Sequence, residues 1–259
     1  MKRLSIITIN YNNLQGLKKT VASVVGQTWK EFEYIVIDGG STDGSAVYIA
    51  DHKEHFDYWV SEPDLGIYNA MNKGIVKASG EYLLFLNSGD HFYDLDVLKK
   101  NLNNIELKDI IYFDLHFYGD DSSYIEKYPD RLSFSFFLHA SLPHPATLIR
   151  SSLFKQFGYY DESLKIVSDW KFFIETICKH NCSYIKINDV LTTFHLDGIS
   201  SDTKNKPLIL NERNKVLNEE FAMFIDDINE FNYLRGLVSQ LKKSRKIGWL
   251  IKLGMLDKF

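Results

Sequence analysis

The chain reads as an α/β protein with a parallel sheet flanked by helices, and two observations predict it. Over the first hundred residues, short apolar runs alternate with segments of helical spacing, the pattern of parallel strands with crossover helices. Three of the apolar runs end directly in polar clusters: Asn10-Tyr11-Asn12-Asn13, Asp38-Gly39-Gly40-Ser41-Thr42-Asp43 and Asn87-Ser88-Gly89-Asp90. Ligands of such sheets gather at the C-terminal ends of the strands, so the three clusters can meet at one edge.

Residues 4–9 form the first strand. Their apolar run stops at Asn10, too short for a signal peptide or a membrane span. A helix follows at 14–25, with Leu17, Val21, Val24 and Val25 on one face. Strands at 34–38, 57–61 and 81–86 then alternate with helices at 43–52 and 65–78. The pattern changes near residue 109. Residues 110–117 and 133–137 read as aromatic-rich strands and 151–157 as a short helix. A helix spans 168–179 with Ser168 as its N-cap, and strands at 184–187 and 190–195 close this part. Residues 205–231 read as acidic helix and 232–259 as a basic, amphipathic extension. The chain thus divides into a domain at 1–204, with halves 1–104 and 105–204, and a helical extension at 205–259.

A length of 259 residues suffices for a sizeable core. The net charge of −4 gives no case for a nucleic-acid partner. Cys178 and Cys182 lie four apart without the further ligands a zinc site needs, and read as buried, reduced thiols of a cytosolic protein. No G-x-G-x-x-G follows the first strand and no Walker A lysine loop is present, which disfavours a dinucleotide enzyme or a P-loop ATPase.

Asp90 stands at the tip of a buried strand, where an open sheet presents a metal or phosphate ligand, although Asn, Ser, Gly and Asp are also ordinary turn formers. Asp38 ends the second strand before a Gly-Gly-Ser turn. Its carboxylate can accept a hydrogen bond from a ring N–H of a base such as uracil, with Gly39 and Gly40 admitting the ligand to the backbone; equally, Asp38 and Ser41 can cap the next helix.

At this point the residues carry a resemblance. Ile6-Ile7-Thr8-Ile9-Asn10-Tyr11-Asn12, Ile35 to Gly44, Glu62-Pro63-Asp64-Leu65-Gly66-Ile67-Tyr68-Asn69-Ala70-Met71-Asn72-Lys73-Gly74 and Phe85 to Asp90 resemble, in order and spacing, the motifs of family 2 glycosyltransferases of the bacterial polysaccharide or O-antigen type. The resemblance covers about residues 3–200. It implies a GT-A fold, with a Rossmann-like nucleotide-binding sheet and a mixed sheet in the acceptor half. It further implies a nucleotide-sugar donor, most commonly UDP-linked, a manganese or magnesium ion, and inversion at the anomeric carbon. By position, Thr8, Tyr11, Asp38, Asn72, Lys73, Asn87 and Ser88 would serve the donor. Asp90 and His195 would serve the metal, His144 and Trp170 the acceptor, and Asp169 would be the general base. Asn87 and Gly89 depart from the multi-aspartate pattern and leave Asp90 as the motif's sole carboxylate, so metal binding should depend on the donor phosphates. The segment His195 to Ser200 resembles the family's flexible closure over the donor.

Two other readings of the residues remain open: a sugar-1-phosphate nucleotidyltransferase, which would want a Gly-rich basic signature after the first strand, and a non-catalytic carbohydrate-binding or scaffold protein. Residues 232–259 carry a charge of +6, so the remainder carries −10. Such a tail, with Trp249, suits an anionic membrane surface, where relatives extend glycans on a polyprenyl-diphosphate carrier. It equally suits a helix packed on the domain or a homodimer partner. The expected location is cytoplasmic, with peripheral contact at the inner face of the cytoplasmic membrane.

Overall fold

The first strand, β1 (Leu4–Asn10), is buried at every position, as a parallel strand covered on both faces must be. A computed structural model describes residues 2–102, 108–119, 122–196, 198 and 201–257. From β1 the chain enters α1 (Leu14–Val25), capped by Asn13, whose side chain accepts from the Gly16 N–H. Leu17, Thr20, Val21 and Val24 form its buried face. Next come β2 (Phe32–Asp38), α2 (Ser45–Asp51), β3 (Tyr58–Ser61), α3 (Ile67–Lys77) and β4 (Tyr82–Phe85). Each lies where the alternation places it, to within two residues. β1 pairs in parallel with β2 and with β4, and β2 in parallel with β3. The C-terminal ends of all four strands therefore share one edge.

The second part of the unit completes a mixed sheet. Its elements are β5 (His91–Phe92), α4 (Val97–Leu102), β6 (Ile110–Gly119), β7 (Ser122–Glu126), α5 (Phe134–His139), β8 (Thr147–Arg150), α6 (Ser151–Phe157), α7 (Ser168–Ile174) and β9 (Tyr184–His195). Among the described residues the sheet has nine strands, in the order β3-β2-β1-β4-β8-β6-β9-β5, with β7 on β6. β8 runs antiparallel to β4 and β6, while β6 and β9 are parallel. Only residues 86–90 separate β4 from β5, yet β5 pairs with β9. Four strand spacings amount to about 19 Å, which a turning five-residue link does not span. The sheet therefore curls, bringing the end of β9 back toward the tip of β4.

Several local expectations are corrected. Residues 133–137 do not form a strand: Ser133 caps α5, accepting from the Phe136 N–H, and Phe137 turns inward. The aromatic run obeys an i,i+3 rather than an alternating rule. Ser168 is not the N-cap of α7; Val167 occupies that position, and the Ser168 hydroxyl accepts from the Asp161 N–H at 2.6 Å. After α7 the backbone widens into a π-helical turn at Glu175–Lys179. The two strands expected at 184–187 and 190–195 are one, β9, with its register against β6 shifted around Phe113 and Asp114. The short strands β5, β7 and β8 carry too few residues to show a period. Cys178 and Cys182 are free and half-buried, and burial pushes the Cys178 thiol up to about 11.

A second unit begins at Leu210, five residues beyond the expected boundary at 205. The tail consists of α8 (Lys206–Glu220), α9 (Ile225–Lys243) and α10 (Arg245–Lys252). Along α9 only Ile228 is buried. Among the described residues no helix is long and apolar enough to cross a membrane.

Candidate active site

Parallel pairing sets Asn10 opposite Asp38 and Asp38 opposite Ser61 at the common strand edge. The Asp38 carboxylate is fully buried. It accepts from Asn10 Nδ2 and Ser41 Oγ (each 2.6 Å), the Ser41 N–H (2.9 Å) and Ser61 Oγ (2.6 Å). Burial pushes its pKa up, but these bonds outweigh burial and hold it below the ordinary value. Four donors match the acceptor capacity of a carboxylate, so a base N–H would have to displace one of them. Asp38 does not cap α2, whose N-cap is Gly44. Neighbouring bonds join the tips of β1 and β2: Asn12 N–H to Ser41 Oγ, Thr42 N–H to Asn12 Oδ1, and Leu14 N–H to Asp43 Oδ2. Tyr11 stands beside this turn with 68% of its surface exposed, leaving its ring free for stacking. Thr8 is fully buried, and its hydroxyl donates to the Leu86 carbonyl at 2.8 Å, tying β1 to the chain leaving β4. The space beside Gly39 is filled by Asp64, a residue the strand-end argument did not single out.

The turn after β4 is docked on α1. Thr20 Oγ1 lies 2.6 Å from the Asp90 carbonyl and 3.2 Å from that of Asn87, and it accepts from the Gly89 N–H at 3.0 Å. Asn13 Nδ2 donates to the Ser88 carbonyl at 3.1 Å. Gly89 has φ +111°, a conformation that an aspartate would adopt only with strain; this accounts for one departure from the multi-aspartate pattern. Asp90 is 6% exposed. Buried side-chain oxygens without hydrogen-bond partners lie on residues of this edge: Asn10 Oδ1, Asn87 Oδ1 and Ser88 Oγ. Unspent oxygens beside one carboxylate fit a hard divalent cation that keeps water and phosphate among its ligands. Among the described residues no three His, Cys, Asp or Glu side chains are grouped to enclose a metal.

Asp169, in the first turn of α7, is joined to the same edge through aromatic side chains. The Tyr68 hydroxyl lies 2.8 Å from Asp169 Oδ1 and 2.6 Å from the Ile166 carbonyl, so its one proton is shared between two acceptors. Burial, and then the Asp169 charge, push the Tyr68 hydroxyl well above its ordinary pKa and keep it a donor. Tyr68 packs on Tyr160, and Tyr160 on Phe85, the last residue of β4. His144 stacks on Phe85 at 4.8 Å and pairs through Nε2 with the Tyr160 hydroxyl at 2.9 Å. Burial pushes the His144 pKa down and Asp169 opposes the shift. Asn72 clamps Tyr160 from α3, with Nδ2 donating to the Tyr160 carbonyl and Oδ1 accepting from its N–H; Nδ2 and Asn69 also bond Glu162. Lys73 pairs with Glu62 at 2.7 Å.

Trp170 is 1% exposed, and its indole N–H donates to the Phe137 carbonyl. Both residues expected to serve the acceptor, His144 and Trp170, are thus buried, the first against Phe85 and Tyr160 and the second bonded to Phe137. Tyr68 and Glu162 escaped strand-end reasoning because they act from a helix and a loop that only the fold brings together.

His195 ends β9. Its Nε2 lies 2.7 Å from Lys19 Nζ, and its ring 5.4 Å from that of His91. Metal ligation through Nε2 would require it to part from Lys19. Burial and then the Lys19 charge push the His91 pKa down to about 4. Asp197, Ile199 and Ser200 of the expected closing segment lie outside the described residues.

Residues 5–164 match the model of the glycosyl transferase family 2. The chain is 37% identical over 204 residues to glycosyltransferase Rv1514c of Mycobacterium tuberculosis, covering 76% of this chain and 77% of that one. It is 30% identical over 175 residues to a Mycobacterium bovis protein named PGL/p-HBAD biosynthesis glycosyltransferase, covering 65% and 67%. Among solved structures, S. aureus TarS 1–349 in complex with UDP superposes with a TM-score of 0.61 at 20% identity, covering 74% of this chain and 60% of that chain. Against a longer TarS structure the coverage of that chain is 36%. Mannosyltransferase PcManGT from Pyrobaculum calidifontis, in complex with GDP-Man and Mn2+, gives 0.57 at 14% identity, covering 77% and 58%. These structural likenesses concern the fold, which is of the GT-A type.

Asp38→Ala would strand buried donors on Asn10, Ser41 and Ser61, each costing roughly 1–3 kcal/mol, so a fall of about 3 kcal/mol in urea-unfolding stability is expected at neutral pH. Because the folded pKa is depressed, the Asp38 contribution is complete above about pH 4 and lost as pH falls through its lower folded value. The stability gap between wild type and variant should therefore narrow in acid.

Proposed function

The chain belongs to glycosyl transferase family 2, and from that premise we propose that it transfers a sugar, with inversion, from a nucleotide-sugar donor to a glycan or lipid-linked sugar acceptor in bacterial surface polysaccharide synthesis. The observation that carries this reading is the aromatic wall from Phe85 at the tip of β4 to Asp169. It sets a carboxylate across from the strand edge where a nucleotide diphosphate would lie.

The donor is proposed to be a UDP-sugar, a reading supported by the UDP and UDP-GlcNAc complexes of TarS. Tyr11 offers its ring to the base, and Asp38 acts by ordering the Gly39-Gly40 turn beside it. Asn72 and Lys73 brace the donor side of α3. Asp90, with Asn87 and Ser88, would hold a manganese or magnesium ion shared with the donor phosphates. When bound, such an ion offsets the charge of the departing diphosphate. Asp169 takes the proton of the acceptor hydroxyl as that oxygen bonds to the anomeric carbon and the bond to the diphosphate breaks. Tyr68 fixes the orientation of the Asp169 carboxylate. Family membership argues against a sugar-1-phosphate nucleotidyltransferase.

The tail is assigned to an anionic membrane surface, where a polyprenyl-diphosphate-linked acceptor would be reached. Supporting this, Trp249 and Leu253 of α10 and its C-terminal flank are 69% and 61% exposed and share a surface with Arg245 and Lys246. An apolar face rimmed by cations inserts among anionic headgroups.

Asp169→Asn should leave nucleotide binding near normal while lowering turnover by about 10²–10⁴-fold, measured as nucleotide release from a panel of donors; full activity would move the base elsewhere. By calorimetry, Asp90→Ala should abolish the gain in UDP affinity that Mn2+ confers. Sedimentation with anionic vesicles should capture the full-length protein at low salt and lose it with Trp249→Ser or at high salt. Equal capture by neutral vesicles would refute the membrane assignment.

A further inference from the structure

One cation at the donor edge has no place in the roles assigned above. Lys19 immediately precedes Thr20, whose hydroxyl holds the 87–90 turn, so its backbone is fixed beside Asp90. Its ammonium lies 2.7 Å from His195 Nε2 and 5.8 Å from the centre of the Tyr118 ring. The His195 ring in turn lies 5.4 Å from that of His91, the residue after Asp90. Among the described residues no carboxylate is paired with Lys19. A neutral imidazole nitrogen that accepts from the ammonium leaves its charge uncancelled. Such an ammonium, on an exposed residue beside the 87–90 turn, is arranged for an anion that arrives from solution.

We propose that Lys19 binds the donor diphosphate directly, with His195 as the residue that positions its ammonium. The assignment rests on the donor reading of the strand edge and adds to it a contact outside the strand-end motifs. A nucleotide sugar carries two negative charges on its diphosphate. When the bond to the anomeric carbon breaks, its electron pair stays on the phosphate oxygen and a third charge appears. With Asp90 the single carboxylate of the 87–90 turn, an ion there would be held weakly in the absence of donor. A cation already in place stabilises the developing charge without reorganisation. Lys19 supplies it from α1, and the curl of the sheet brings β9 round to orient it.

The test measures dissociation constants of UDP, GDP and UMP for wild type, Lys19→Met and Lys19→Arg, in excess Mn2+ and in EDTA. Lys19→Met keeps the aliphatic stem, and an unchanged melting temperature without nucleotide confirms its fold. It should weaken binding of the preferred diphosphate by about 10–100-fold, as expected for loss of a charge-assisted contact. UMP binding should fall less, and Lys19→Arg should recover most of the affinity. Equal diphosphate affinity of wild type and Lys19→Met would overturn the proposal while leaving the donor reading intact. If wild type bound no nucleoside diphosphate under either condition, the donor reading itself would fall, and this assignment with it.

Discussion

The functional edge depends on a buried carboxylate that has been given every hydrogen bond it can accept. Asp38 collects donors from β1, from the turn that follows its own strand and from β3. Taking an ionised group out of water is costly unless it is fully bonded. The bonding therefore does more than tie three segments together: it permits only one arrangement of them. From that arrangement follow the exposed Tyr11, the clasp between Asn12 and the Ser41-Thr42 turn, and the tie from Leu14 to Asp43 that starts α1 at this edge. Helix α1 then holds the 87–90 turn through Thr20 and Asn13.

The second half of the site is organised by aromatic packing rather than by charge. Phe85, His144, Tyr160 and Tyr68 form a contiguous wall, most of it in edge-on and tilted contacts. Such pairs add about 0.5–1.5 kcal/mol beyond burial, and they make the position of Asp169 a consequence of core packing. Asp90 and Asp169 are thus positioned by different forces: the first by the hydrogen-bonded turn on Thr20, the second by the aromatic wall. The turn at 87–90 relies on few charges of its own, and its glycine is required by a left-handed backbone.

The strands and helices of the first hundred residues were legible because each buries a continuous face, and burial on both sides of a parallel sheet leaves a strong signature in the chain. Elements of the second half were less so. The Phe134–His139 helix carries aromatics that serve a strand equally well, and β5, β7 and β8 are two to five residues long. Asp169 could be marked from its motif position, but Tyr68, Tyr160 and Glu162 gain their parts only by meeting across the fold. The resemblance gives Trp170 and His144 to the acceptor, and that both are buried is visible only in the structure.

By itself, then, the sequence determined the α/β alternation, the polar strand tips and the membership that its motifs declare, because these are local properties of residue order. The tertiary structure decided which of the marked residues face solvent, how Asp38 spends its carboxylate, and that β9 returns to bring His195 and Lys19 together across 176 positions of chain. The physical reason is that hydrogen-bond saturation and sheet curl are properties of pairs distant in sequence. No residue carries them alone.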